Sequence, residues 1–112
     1  MCGIVGIFGS PLGREALGNL LDDMNAAMIH RGPDSAGLAV EDGAGFGMRR
    51  LAIIDLSTGD QPIENEDGRY RLVANGEIYN YRELQAELGD RHAFSTVSDV
   101  EPIVHLLSLI HI

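Results

Sequence analysis

A single thiol stands at position 2, one residue behind the initiator Met. Cys is small enough for the initiator to be trimmed, which leaves Cys2 as a free N-terminal residue. That arrangement has a specific chemical use. A thiol is the most nucleophilic side chain near neutral pH, and an α-amino group titrating at about 7.7–8.0 is a suitable base beside it. Nucleophile and base then come from one residue, with no His recruited. A lone Cys is also commonly a small buried hydrophobe, and residue type alone leaves both readings open.

Asn75-Gly76-Glu77 is the next group with chemical content. Asn-Gly is an ordinary turn signal. A side-chain amide beside an unhindered backbone N–H can instead form an oxyanion hole, where losing one donor costs about 2.7–4 kcal/mol. Arg49 and Arg50 are adjacent in an expected strand, so they point to opposite faces and at most one enters a given pocket. Asp99 reads most simply as a carboxylate near a helix start. Paired with an Arg it does more: a carboxylate for an ammonium and a guanidinium for a carboxylate together recognise a free amino acid. His30, His92, His105 and His111 show no metal-ligand spacing, and one Cys makes no CxxC site. Gly43, Gly45 and Gly47 lack the Lys and the following helix of a phosphate loop, so no nucleotide site is expected here.

These residues need elements to hold them. Gly3–Gly9 is short, rich in β-branched residues and bounded by Ser10-Pro11, a buried strand. Leu17, Leu20, Leu21, Met24, Ala27 and Met28 recur at steps of three and four, predicting an amphipathic helix from about 14 to 29 with Gly18 as its weak point. His30-Arg31-Gly32-Pro33-Asp34 ends it, because the residue before proline is pushed out of the helical region. Gly37–Val40 and Phe46–Arg50 are strands joined through Asp42-Gly43, and the run continues through Leu51–Leu56. Ser57–Pro62 is a loop, Asp67-Gly68 a second hairpin turn, and Arg69–Ala74 a further strand. Asn80 with Glu83, and Ser98 with Glu101, have capping-box spacing before two helices, the first closed by Gly89 and the second running from Pro102 to about Leu109. The order expected is strand, helix, several strands, helix, strand, helix. With hairpin turns between strands, an antiparallel sheet carrying helices fits better than alternating parallel units.

Composition narrows the class. The 112 residues suit one domain, and 45% hydrophobic against 22% charged residues supports a core. Seventeen acidic residues oppose eight cations, all Arg, for a formal charge of −9. That balance repels a polyphosphate, so no nucleic-acid partner is expected. No apolar run approaches a membrane span, and none follows a basic n-region as in a secretory signal. A single Cys makes no internal disulfide, so the expected compartment is the cytoplasm.

Met1-Cys2-Gly3-Ile4, His30-Arg31-Gly32-Pro33-Asp34, Arg50-Leu51-Ala52-Ile53-Ile54-Asp55, Gln61-Pro62, Asn75-Gly76-Glu77-Ile78-Tyr79-Asn80 and Ser98-Asp99 occur in this order in one chain. Together they closely resemble the glutaminase domain of glutamine-hydrolysing asparagine synthetases, which are class II glutamine amidotransferases. The resemblance implies an α+β fold of the N-terminal nucleophile hydrolase type, an αββα sandwich of two antiparallel sheets between helical layers, present here only in part. It implies Cys2 as nucleophile after Met removal, with its own amino group as proton acceptor. Asn75 and Gly76 match the oxyanion positions, Arg50 the residue binding the glutamine α-carboxylate, and Glu77 and Asp99 those near the α-amino group. Leu51, Ile53 and Ile54 match backbone positions shaping the same pocket. Val100 and Pro102 depart from the family pattern after Ser-Asp.

The resemblance further implies L-glutamine as substrate and no cofactor for this part. Ammonia is expected to pass to a synthetase domain using ATP, Mg²⁺ and aspartate, and a homodimer is left open. Relatives acting on other carboxylate acceptors share these motifs, and a module that keeps the fold without turnover is a further alternative. The chain is expected to be the N-terminal part of the domain (1–107) with an apolar tail (108–112) that need not be native sequence. The synthetase domain is expected to be absent from these residues, and the piece alone is expected to be unstable or inactive.

Overall fold

The computed structural model describes residues 2–110. Met1, His111 and Ile112 lie outside the described residues, and with them the expectation about initiator removal and the end of the apolar tail. The chain runs β1 (Gly3–Phe8), α1 (Arg14–Ala27), β2 (Ser35–Glu41), β3 (Ala44–Arg50), β4 (Ile63–Glu64), β5 (Arg71–Leu72), α2 (Tyr81–Leu88) and α3 (Glu101–Ile110). One antiparallel sheet has the order β1-β3-β2; the other pairs β4 with β5. The fold is therefore α+β with two antiparallel sheets, as expected.

The β2–β3 hairpin closes at Asp42-Gly43, with Gly43 in the left-handed region at φ 76 that this tight turn requires. α1 lies across one face of the three-stranded sheet. Met28, Leu21 and Asn25 sit over Gly3, Gly45 and Gly47 respectively, and Leu17, Leu21 and Asn25 are buried there. Because side chains alternate along a strand, the opposite face receives Met48, Arg50 and, one residue ahead of β1, Cys2. The second core joins Ile63, Val100 and Val104, with Tyr70, Leu72, Ala74, Ile78 and Ile103 packed around them, so α3 covers the small sheet.

Several expectations on local structure need correcting. β3 stops at Arg50, and Leu51–Leu56 is irregular rather than a continued strand. The Arg69–Ala74 strand is only Arg71–Leu72, opposite Ile63–Glu64. No strand lies between α2 and α3 among the described residues. Neither capping box forms. Asn80 has φ −96 and ψ 25 and makes no side-chain cap, since a cap needs extended backbone; Gly89 does close the helix as expected, its N–H on Gln85 O. Ser98 Oγ reaches only Val100 N–H at 3.4 Å, because the Glu101 carboxylate turns away to Ser95 and Thr96.

Candidate functional site

A cleft of about 300 Å³ opens on the sheet face opposite α1. Cys2 comes from the residue preceding β1 and Arg50 from the end of β3. Leu51, Ile53 and Ile54 follow in the irregular loop, Asn75, Gly76 and Glu77 after β5, and Asp99 before α3. All nine residues singled out from the sequence thus line one cavity, although 97 positions of sequence separate the first from the last.

The thiol sits against the Leu51 peptide. Cys2 Sγ accepts from Leu51 N–H at 3.3 Å and lies 3.7 Å from Leu51 O. The Cys2 carbonyl is held from two sides, by Arg31 Nε at 3.1 Å and by Asn75 Nδ2 at 3.3 Å. The Asn75 amide is therefore already at the nucleophile. Gly76 is exposed, with nothing within 4 Å of where a Cβ would stand.

Of the adjacent arginines, Arg49 turns to Gly32 O at 2.8 Å while Arg50 turns into the cleft, the division that strand geometry requires. Arg50 is buried, and its Nη2 donates to the Ile54 and Asp55 carbonyls, both at 2.6 Å. Its Nη1 reaches Asp60 at 3.3 Å. Gathering two successive carbonyls onto one nitrogen demands a curl, which is why the strand cannot continue. Asp55 adopts φ 53 within that curl. Its carboxylate takes N–H groups from Thr58 at 2.8 Å and Val97 at 3.1 Å. Burial would raise the Asp55 carboxyl, but the hydrogen bonds from Thr58, Val97 and Ser57 outweigh it and hold the group below its ordinary value.

Asp99 is buried and lies two residues ahead of α3. Its Oδ2 accepts from Ile78 N–H at 2.9 Å, which ties the segment after Glu77 to the α3 entry, while Oδ1 has no partner among the described residues. Glu77 is exposed beside it. An unpaired carboxylate oxygen on one wall and a guanidinium on another make a cleft able to hold an ammonium and a carboxylate at once.

Three contributors carry no role in the sequence reading. Arg31, Gly32 and Asp34 form a brace: Gly32 packs where a Cβ would lie 2.3 Å from the Arg49 carbonyl carbon, and Asp34 accepts from Ala52 N–H at 2.8 Å. Asp60 and Gln61 bridge β2 and β3 to the Ala74 backbone. Third, His92 and His105 converge with Glu66 although their spacing follows no ligand motif, one ligand atom from each lying within 4.8 Å of the others. Glu66 oxygens stand 2.6 and 2.9 Å from the two Nδ1 atoms, and Glu101 lies 3.3 Å from His105 Nε2. His92 Nδ1 and His105 Nε2 are hydrogen-bonded to Glu66 and Glu101, His105 Nδ1 faces Glu66 without hydrogen-bond geometry, and the cluster ties the β4–β5 turn to α3. The buried Glu101 would be raised by burial, but bonds from Thr96 and Ser95 hold it below its ordinary value.

A thiol one residue ahead of β1, an amide at its carbonyl and a cleft with Arg50 and Asp99 in its walls, on two antiparallel sheets, have the layout of an amidotransferase-type site. The chain matches the glutamine amidotransferase domain over residues 1–110 and belongs to that family. It is 46% identical over 108 residues to asparagine synthetase [glutamine-hydrolyzing] 2 of Bacillus subtilis (strain 168), covering 95% of this chain and 14% of that protein. Asparagine synthetase [glutamine-hydrolyzing] 1 of the same organism is 47% identical over 107 residues, covering 93% and 17% respectively. For asparagine synthetase B [glutamine-hydrolyzing] of Escherichia coli (strain K12) the identity is 41% over 106 residues, covering 95% and 19%. The chain thus spans less than a fifth of the length of these relatives. No helix among the described residues is long and apolar enough to cross a membrane.

Proposed function

We propose that this chain is a glutaminase unit, hydrolysing L-glutamine to glutamate and ammonia through Cys2. With Met1 removed, the α-amino group of Cys2 takes the thiol proton, and the thiolate attacks the side-chain amide carbon. The resulting oxyanion is held by Asn75 Nδ2 and Gly76 N–H, charge-directed donors of the kind that make acyl transfer fast. Ammonia departs, carrying the proton from the amino group. Water then cleaves the γ-glutamyl thioester, releasing glutamate and restoring the thiol. Arg50 binds the α-carboxylate, Asp99 and Glu77 take the α-ammonium, and Leu51, Ile53 and Ile54 form the wall between them.

The observation that supports this best is the convergence on one cleft of the thiol, the Asn75 amide 3.3 Å from the Cys2 carbonyl, and the opposed charges of Arg50 and Asp99. In the larger protein that the relatives suggest, the ammonia serves a synthetase domain that uses ATP and Mg²⁺ to convert aspartate to asparagine. A cytoplasmic setting and a homodimeric assembly belong to the same proposal. The test is glutamate release by the longest natural polypeptide carrying this sequence, beside Cys2→Ala, with intact mass reporting the N-terminus. Loss of release in the variant is expected. Equal rates, or full activity with Met1 retained, overturn the proposal.

A further inference from the structure

Gln61 lines the cleft yet takes no part in the reaction proposed above. Extending the Ile63–Leu72 register by two residues sets Gln61 opposite Ala74, but the ladder stops short. Pro62 has no N–H to offer it. The Gln61 carbonyl is turned instead onto Gly37 of β2, where a Cβ would come within 1.8 Å of it. The side chain takes over the pairing. Gln61 Nε2 donates to Ala74 O at 3.2 Å, and Oε1 accepts from Ala74 N–H at 2.6 Å. One residue thereby exchanges a donor and an acceptor with Gln61, as a hydrogen-bonded antiparallel pair does. Asp60 fixes the other end, accepting from Ser35 Oγ at 2.8 Å and Arg50 Nη1 at 3.3 Å. At 9% exposure Gln61 meets little competition from water.

We infer that Gln61 is the positioning residue of the oxyanion loop. Its side-chain amide sets the distance between Ala74-Asn75-Gly76 and the sheet that carries Cys2 and Arg50. The inference rests on the glutaminase reading of the cleft.

The discriminating variant is Gln61→Glu, near in shape. As a carboxylate it still accepts from Ala74 N–H but sets its second oxygen against the Ala74 carbonyl; once protonated it regains the donor. Measured on the longest natural polypeptide carrying this sequence, kcat is expected to fall about 10- to 100-fold at pH 8, with KM for glutamine within about threefold, since the loop is misplaced while the amino-acid grip stays. The ratio of its kcat to wild type should recover as pH falls. Gln61→Leu, lacking both bonds, should fall without recovery, and amide hydrogen exchange at Ala74 should speed up while α3 stays protected. An active Gln61→Leu with the wild-type pH profile, a Gln61→Glu variant without acid recovery, or unchanged exchange at Ala74 overturns the assignment. A wild-type protein that releases no glutamate overturns the functional reading beneath it.

Discussion

Replacing Gly37 by Ala adds one methyl group on the cleft side of β2. Its carbon would lie 1.8 Å from Gln61 O, 2.8 Å from the Gln61 carbonyl carbon and 2.9 Å from Pro62 Cδ. Ordinary contact begins at 3.4 Å, so about 1.6 Å must be opened between a strand and a neighbouring main chain. Neither side is the tip of a flexible side chain. β2 is an edge strand whose strand partner among the described residues is β3, while Gln61 is tied to Ala74. Whichever moves, overpacking of this kind costs about 1–3 kcal/mol, and a displacement near 1 Å at catalytic groups costs about 100-fold in rate. Urea midpoints together with glutamate release are the assay. Gly76→Ala is the control for stability, having open space at its Cβ position, and should melt within about 0.5 kcal/mol of wild type. A Gly37→Ala protein as stable as that control and as active as wild type would refute the close packing of β2 on Gln61.

Three further outcomes are expected. Gly18→Ala, with Val40 Cγ2 a comfortable 3.9 Å from the new carbon, should raise stability by about 0.8–1 kcal/mol, read as a higher urea midpoint. Arg31→Ala should lower glutaminase kcat several-fold with an unchanged melting temperature, since it removes one exposed hydrogen bond to the Cys2 carbonyl. The carboxyl of Glu101 is held below its ordinary 4.5, so its contribution is present above that value and is lost as pH falls through the lower folded value. Glu101→Gln should therefore be less stable near neutrality and show a flatter fall in melting temperature between pH 5 and pH 3.

The sequence made the two sheets' antiparallel character legible because Asp42-Gly43 and Asp67-Gly68 are local signals that tertiary packing did not override. α1 was legible for the same reason, its apolar spacing being long and regular. The site residues were legible through resemblance more than through pattern: nothing in the spacing of Cys2, Arg50, Asn75 and Asp99 says that they share a cleft. What stayed hidden was built from contacts between distant segments. The curl after Arg50 depends on where one guanidinium finds its acceptors, and the Gln61 pairing on a ladder interrupted by a proline. The Ser98–Glu101 capping box failed because Glu101 has its partners in Ser95 and Thr96, and the Asn80–Glu83 box because Asn80 lacks the extended backbone that a cap needs. His92 and His105, thirteen residues apart in sequence, meet only because the chain between them folds back.

The way Arg50 is held constrains how this cleft can be redesigned or can diverge. Its guanidinium is the mould on which the Ile54 and Asp55 backbone is cast, so replacing it to change what the cleft selects would release the wall along with the charge. Asp99 carries a similar double duty through Ile78. Glu77 hangs at the rim with no such tie among the described residues, and selection for a different amide donor has its freest starting point there.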